Sequence, residues 1–202
     1  MATAAPKTPS PEIRSQIVAS ATKFFSRFGF HKTTMEEIAR NIHKAKGLIY
    51  YYFRSKEELF NEVLRAELQA VKDELLVIVR SPDDAIHKIT EYIRTRYELL
   101  NRAVNYHETL KADFFEKYHF VKDVRDDFDA FEQEQLTRII REGSEDGYLQ
   151  LRSIEPTVNV AMMIIKSIDI PLFLQDKYAE YEQTIVELLT MITRSFQNQR
   201  KE

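Results

Sequence analysis

Three consecutive tyrosines, at positions 50 to 52, lie in a short apolar stretch between Lys46 and Lys56. A phenol hydroxyl can donate a hydrogen bond to a phosphate oxygen while its ring lies along a sugar, and a lysine can pair with the phosphate charge. Gly47 has no side chain and therefore lets a ligand approach the backbone closely. These residue types at this spacing favour a surface that contacts nucleic acid. The alternative is that a small domain fills its core with the aromatic rings.

Two pairs at helical i, i+4 spacing could each supply two metal ligands, His87 with Glu91 and His119 with Asp123. Neither pair has a third ligand at a useful spacing, so we expect exposed helix pairs and no metal site. The sequence has no cysteine, no phosphate-binding glycine loop, no nucleophile elbow and no His-Glu-x-x-His motif. We therefore expect neither an enzyme nor a bound cofactor.

Charge is distributed unevenly along the 202 residues, whose net charge is −3. Residues 1–56 contain ten basic and three acidic side chains, a charge of +7, which leaves −10 for the remainder. A basic segment joined to an acidic one indicates that the N-terminal part meets a polyanion. A lopsided but solvated helix surface is the other explanation.

The elements that position these residues are predicted to be helices. There are only 4 Gly and 6 Pro, no run has the composition of a strand bounded by turns, and 44% of the residues are hydrophobic. Helix starts are marked by Ser10 and Ser81 before prolines and by capping boxes at Thr34 and Ser55, while Gly29 and Pro171 mark stops. The sequence therefore predicts an all-α fold with helices at 11–28, 34–41, 45–52, 55–79, 83–100, 104–117, 121–142, 155–169 and 177–197.

The second and third predicted helices are joined by Ile42, His43 and Lys44 alone, the short turn of a helix-turn-helix. Counting 100° per residue places Ile49, Phe53 and part of Tyr52 towards the first helix. The side facing away then carries Lys46, Gly47, Leu48, Tyr50 and Tyr51.

The stretch TTMEEIARNIHKAKGLIYYYFRSKEELF, residues 33–60, resembles the helix-turn-helix of the tetracycline-repressor (TetR) family of bacterial regulators. The resemblance implies that Thr34 caps the second helix and contacts phosphate, and that Lys56 contacts a phosphate. It places the remaining DNA contacts at Lys46, Gly47, Leu48, Tyr50, Tyr51 and Tyr52. His43 stands where the family commonly has a glycine, and histidine tolerates the left-handed conformation that such a turn requires.

Two later helices carry apolar stripes at heptad-like spacing. The stripes could pack within one chain, or, as the family resemblance implies, pair with a second subunit in a four-helix bundle. In the second case the interface contains Ala161, Ile165, Ile168, Tyr181, Ile185, Leu188 and Ile192.

Residues 83–142 are rich in aromatic side chains mixed with polar ones. In TetR-like proteins this region encloses the inducer, so the resemblance implies an aromatic pocket for a largely apolar small molecule with a polar end. A solid aromatic core is the alternative. The candidate pocket residues are Tyr92, Tyr97, Tyr106, His107, Phe114, Tyr118, Phe128 and Phe131.

These patterns predict a disordered tail at 1–9, a DNA-binding domain at 10–54 and a ligand-binding and dimerisation domain at 55–202. The start lacks the apolar stretch of a signal peptide and no run approaches the roughly 18 apolar residues that span a bilayer. We therefore expect no membrane partner and a cytoplasmic bacterial protein, nucleoid-associated when bound. The expected function is a homodimeric repressor that binds a palindromic operator and is released by a small effector. The alternative is a small-molecule-binding or scaffold protein with a vestigial helix-turn-helix.

Overall fold

The structure, a computed structural model, describes residues 10–111, 119–175 and 177–198, with side chains described as far as residue 191 apart from that of residue 182. Within these ranges the chain forms nine α-helices, one short 3-10 helix at His119–Val121 and no strand, which confirms the all-α prediction. The α-helices are α1 Pro11–Lys32, α2 Met35–Asn41, α3 Lys46–Tyr52, α4 Lys56–Val79, α5 Ala85–Arg102, α6 Val104–Leu110, α7 Lys122–Glu145, α8 Ile154–Phe173 and α9 Tyr178–Asn198. The predicted tail at 1–9 and the second half of the helix predicted at 104–117 lie outside the described residues.

Two predicted helix caps do not form. Ser10 makes no side-chain cap bond to α1. Ser81 does not cap α5 either, because α5 begins only at Ala85, where the carboxylate of Asp84 accepts hydrogen bonds from the N–H groups of Ile86 and His87 at 3.0 and 2.9 Å. An aspartate can satisfy two of the N–H groups left unpaired at a helix start, which explains why the helix begins after Asp84.

The two predicted helix stops have different outcomes. Gly29 interrupts α1 with φ 79° and ψ 164°, a conformation open to glycine but strained for other residues. The helix resumes for three more residues, so the regular part of α1 ends where the sequence predicts. Pro171 does not end α8, which runs on to Phe173. A proline removes one backbone hydrogen bond, and in the last turn of a helix that loss leaves the earlier turns intact.

The chain divides into two compact units, residues 1–67 and 68–202. The division falls inside α4, whereas the sequence places a domain boundary between residues 54 and 55. In the first unit the rings of Phe25, Phe30 and Phe60 meet with centroids 5.1 to 5.9 Å apart. They form a core with the fully buried Ile17, Ile38 and Ile49, so α1, α2, α3 and the start of α4 hold the helix-turn-helix in place.

In the second unit α7 packs against α5 and α8, and α5 also contacts α6, α8 and α9. Gly143 allows the end of α7 to approach the start of α5. A Cβ atom on Gly143 would lie 2.6 Å from that of Ala85 and 2.8 Å from a methyl carbon of Leu149, closer than van der Waals contact. The backbone N–H of Leu149 also donates to the Gly143 carbonyl at 2.8 Å. This packing accounts for the glycine at position 143.

Contrary to the expectation from the sequence, one of the described helices, α8, is long and apolar enough to cross a membrane by length and composition, and 28% of its apolar window is buried. Its buried residues Val158, Ile165 and Leu172 lie on the side that packs within the second unit. Helix α8 therefore has one apolar side in the core of the second unit and another apolar side that is exposed.

Candidate nucleic-acid interface

The start of α2 is fixed by local hydrogen bonds. At the start of α2 the Thr34 hydroxyl accepts from the Glu37 N–H at 3.2 Å, and the Glu37 carboxylate accepts from the Thr34 N–H at 3.0 Å. This reciprocal pair is the predicted capping box. The Thr34 hydroxyl also donates to Glu37, and that hydrogen bond is the main cause that lowers the pKa of the Glu37 carboxyl.

At the end of α2, His43 adopts the left-handed conformation with φ 54°, as predicted for the position where related turns have glycine. The N–H of His43 donates to the Arg40 carbonyl at 3.1 Å and the N–H of Lys44 to the Ala39 carbonyl at 2.9 Å. This pair of bonds is the Schellman arrangement that ends a helix and turns the chain sharply. A histidine therefore performs a glycine's role here, at a conformational cost.

Replacing His43 by Gly should stabilise the protein. The left-handed conformation costs a side-chain-bearing residue roughly 1–2 kcal/mol, and glycine removes this cost. Part of the resulting gain in stability is offset by the greater flexibility of glycine in the unfolded chain. We expect His43→Gly to raise the free energy of unfolding by up to about 1 kcal/mol in urea titrations. His87→Gly, the same change in the first turn of α5, should lower it by about as much. A destabilising His43→Gly would contradict the argument.

Helix α3 presents one side to the core and one to the surroundings, as the helical count predicts. Ile49 and the following Phe53 are buried, and Leu48 is half-buried. Lys46 and Gly47 are exposed, and Tyr50 and Tyr51 keep 44% and 56% of their surface accessible. Two aromatic rings this exposed on a seven-residue helix have no role in the core, which removes the core-filling explanation for them.

The third tyrosine has a different environment. Tyr52 is half-buried, and its hydroxyl accepts a hydrogen bond from the Ser10 N–H at 2.8 Å. Its ring meets that of Tyr51 edge to face with centroids 5.4 Å apart. Tyr52 therefore anchors the start of α1 and supports Tyr51, which places it behind the exposed surface of α3.

Lys56 is held within the protein. Its ammonium group donates to the carbonyls of Phe30 and Thr33 at 2.9 and 3.2 Å, and lies 4.3 Å from the centroid of the Phe30 ring. The carbonyls at the end of α1 lack helical partners, and the lysine satisfies them. Lys56 therefore has a structural role within the protein, and its phosphate contact stays a prediction. Sequence reasoning missed the structural role because the partners lie 23 and 26 residues away along the chain.

Lys46 by contrast is exposed, with only a weak pair to the exposed Glu36 at 3.8 Å and the Tyr50 ring centroid at 6.0 Å. Surface pairs of this kind contribute little and are easily exchanged for another anion. Lys46 is therefore a cation available to a ligand beside Tyr50. No group of three His, Cys, Asp or Glu side chains suited to a metal occurs in the described part of the chain.

The region predicted as an aromatic pocket is a packed core in the residues that the structure describes. Tyr92, Tyr97, Tyr106 and Phe128 are each at most 2% exposed. His107 stacks on Phe173 with centroids 4.8 Å apart, and Phe131 lies half-buried against the Lys72 ammonium group at 5.3 Å. The other two candidates, Phe114 and Tyr118, lie outside the described residues.

The centre of this core is a buried ion cluster that the sequence did not reveal. Arg96 is fully buried and hydrogen-bonds Glu132 at 2.5 and 3.2 Å and Asp169 at 2.7 and 3.0 Å. The Tyr106 hydroxyl donates to Asp169 at 3.2 Å. Burial raises the pKa of the Glu132 carboxyl despite the guanidinium beside it. One cation and two carboxylates thus join α5, α7 and α8.

The second unit also contains an apolar cavity of about 200 Å³. It is lined by side chains of α5, α7, α8 and α9 and of the segment between α7 and α8, and among the described pocket candidates Tyr97 lies on its wall. The cavity is therefore aliphatic where the sequence predicted an aromatic one.

The predicted dimer residues divide by burial. Ile165 and Ile185 are covered within the subunit at 1% and 6% exposure. Ala161, Ile168, Tyr181 and Leu188 are half-buried, and the side chain of Ile192 lies outside the described ones. The large apolar side chains that are exposed on α8 and α9 are not among these predicted residues. They are Val160, Met163, Ile164, Ile170, Val186 and Met191.

An all-helical chain with this turn and this exposed third helix is a helix-turn-helix protein. The family model described as bacterial regulatory proteins, tetR family, matches residues 17–63. The HTH-type transcriptional regulator YhgD of Bacillus subtilis is 43% identical over 56 residues, which are 28% of this chain and 29% of YhgD. Residues 17–63, which contain the helix-turn-helix, therefore match the TetR family of bacterial regulators.

Solved structures extend the likeness in fold to nearly the whole chain. A transcriptional regulator from Cytophaga hutchinsonii has a TM-score of 0.75 at 21% identity, covering 92% of this chain and 98% of that one. The regulator FadR from Bacillus subtilis, in complex with stearoyl-CoA, has a TM-score of 0.68 at 19% identity, covering 87% and 96%. These relatives are transcriptional regulators, as the sequence predicts for this chain. The alignment to YhgD spans under a third of the length of YhgD.

Proposed function

We propose that the protein is a ligand-responsive transcriptional repressor that binds a palindromic DNA operator as a homodimer. The observation that carries the proposal is the exposed side of α3, where Lys46, Tyr50 and Tyr51 face outward beyond the turn at His43. This side lies within a segment of charge +7, which suits a polyanion. The alternative, a small-molecule-binding or scaffold protein with a vestigial helix-turn-helix, has no explanation for two tyrosines kept exposed.

The burial and contacts of the candidates support different roles within the DNA interface. Lys46 and Tyr50 contact phosphates, while Leu48 and Tyr51 enter the major groove and Gly47 lets the backbone approach. Thr34 reaches a phosphate only by exchanging its bond to Glu37. Tyr52 and Lys56 position the interface from behind, because their polar groups are bonded within the protein.

The exposed apolar side of α8 supports the dimer. Met163 and Ile170 lie seven residues apart on one side of the helix, and they are 72% and 51% exposed. Burial of such a side between two copies would explain why so little of this apolar helix is covered in one subunit. A dimer with twofold symmetry would place two α3 helices about 34–36 Å apart or slightly more, to meet successive major grooves.

The aliphatic cavity supports release by an apolar effector. FadR from Bacillus subtilis, which shares the fold, is described in complex with stearoyl-CoA. Helix α4 is continuous through the division between the two units, so an effector that prefers one arrangement of the second unit could act on the DNA-binding unit through it. Its effect is limited to its difference in affinity for the two arrangements.

Removal of one cation and one ring from α3 tests the DNA interface. A duplex selected from a random pool by the protein is titrated by fluorescence anisotropy against a scrambled duplex at several salt concentrations. We expect Lys46→Ala to weaken both complexes and to flatten the salt slope by about 1. Tyr51→Ala should cost about 1–3 kcal/mol with the selected duplex and less with the scrambled one, because it removes a base contact.

The matched control is Lys122→Ala, which removes one exposed cation from α7 at 57% side-chain exposure. It should leave both titrations unchanged. If no sequence is enriched, and Lys46→Ala with Tyr51→Ala together change nothing, the vestigial alternative is correct.

A further inference from the structure

We propose that the cavity in the second unit binds the hydrocarbon part of an effector of about eight carbon atoms, whose polar end stays outside. This inference rests on the proposed function and specifies the chemical class of its ligand. The walls are almost entirely aliphatic, among them Ile89, Ile93, Ile140, Leu151, Ile164 and Leu188.

The polar side chains on the wall are already paired within the protein. The Tyr97 hydroxyl donates to the Ile165 carbonyl at 3.0 Å, and the Thr157 hydroxyl donates to the Ser153 carbonyl at 2.8 Å. A ligand's charged or hydrogen-bonding end would lose its water inside the cavity without gaining a donated hydrogen bond from these groups, which costs several kcal/mol. The interior therefore selects hydrocarbon and leaves the polar end to the opening.

The volume sets the length of the chain. An engineered cavity of roughly 150 Å³ lined by Leu, Ile and Phe binds benzene and stays free of water. A cavity of about 200 Å³ with a similar lining accommodates roughly eight carbons on the same scale. A chain the length of a stearoyl group would leave more than half of its carbons outside.

A second copy of the protein does not fit this cavity. A helix with its side chains is roughly 10–12 Å across, too wide for the space. The cavity wall includes Ile140 and Ile165, which are 3% and 1% exposed and thus lie inside the subunit, while Val160 and Ile164 at 55% and 39% mark its outer edge. This division gives the cavity an apolar interior and an accessible opening.

Binding is tested with 1-octanol, titrated into protein carrying ¹³C-labelled isoleucine methyl groups. We expect saturable shifts at the methyl groups of Ile89, Ile93 and Ile140, and none at Ile17, Ile38 and Ile49 in the core of the first unit. Affinity should rise about fourfold per methylene from 1-butanol to 1-octanol, as expected for burying each group, and gain little from there to 1-dodecanol. Shifts that do not saturate, or a gain that continues unchanged to twelve carbons, would overturn the proposal.

Ile89→Phe narrows the cavity and should weaken 1-octanol binding at least tenfold. Ile86→Phe makes the same change one turn earlier on α5, outside the cavity wall, and should keep the wild-type affinity. Equal binding by the two variants would place 1-octanol elsewhere. Anisotropy with the selected duplex separates the two proposals: saturable binding that lowers DNA affinity supports both, whereas saturable binding by a protein without DNA affinity supports the cavity and refutes the repressor.

Discussion

Replacing Arg96 by Met is expected to lower the free energy of unfolding by about 3–5 kcal/mol, because it strands two carboxylates in the core. The guanidinium is fully buried and is hydrogen-bonded to both Glu132 and Asp169. Without it, the two acids must be protonated or remain charged away from water, and either state is costly. Urea unfolding followed by circular dichroism measures the change. Since a domain is stable by about 5–15 kcal/mol, this loss is a large fraction of the total.

Arg94→Met is the matched control on the same helix. The Arg94 side chain is 50% exposed and pairs with Glu91 and Glu98 on the surface of α5. Exposed pairs contribute at most about 1 kcal/mol, so this variant should unfold close to the wild type. The uncharged triple variant Arg96→Met, Glu132→Gln, Asp169→Asn should recover much of the loss, because no unpaired charge remains. Similar losses in Arg96→Met and Arg94→Met would show that the cluster does not hold the core.

The sequence predicted the recognition helix well because its signals are local. The capping box at Thr34, the left-handed residue at position 43 and the 100° periodicity of α3 are all encoded within about twenty residues. Side chains at such spacing have their orientation fixed by the helix itself. The exposure of Lys46, Tyr50 and Tyr51 could therefore be predicted before any fold was known.

The interactions that the sequence did not predict are those between distant residues. Arg96 finds its partners 36 and 73 positions away, and periodicity cannot distinguish a buried arginine from a solvated one on the same helix. The aromatic residues of 83–142 likewise predicted a pocket, yet those described pack around this cluster. The cavity is lined instead by aliphatic residues, whose sequence pattern is that of an ordinary core. A cavity forms where packed helices leave a gap between their side chains. Amino-acid composition does not indicate where such a gap lies.

For the two predicted dimer helices, the sequence predicted a packing surface but not what packs against it. Their heptad-like spacing indicated a packing surface, and the structure uses Ile165 and Ile185 for packing within the subunit. A helix has other sides, and on α8 the side with Met163 and Ile170 is left uncovered. The exposed residues that a second subunit could contact are therefore sequence neighbours of the interface residues predicted from the heptad-like spacing.

Met163→Glu is expected to weaken the homodimer at least about 100-fold, because twofold symmetry places the new charge in the interface twice and each copy loses water on association. Met163 is 72% exposed in the subunit, so the free energy of unfolding of the monomer should change by no more than about 0.5 kcal/mol. Sedimentation velocity at micromolar concentration should give the monomer mass for the variant and the dimer mass for the wild type. Loss of the dimer should also lower the affinity for the selected duplex, because one recognition helix would bind in place of two. The α3 residues themselves are unchanged in this variant.

The matched control is Val77→Glu, which makes a similar change on α4 at a side chain that is 67% exposed. This variant should sediment as a dimer and bind the duplex as the wild type does. If Met163→Glu also sediments as a dimer with unchanged DNA affinity, the uncovered side of α8 is not the interface. A variant that sediments as a monomer yet binds the duplex fully would separate the two roles, and would show that a single α3 helix suffices for the affinity.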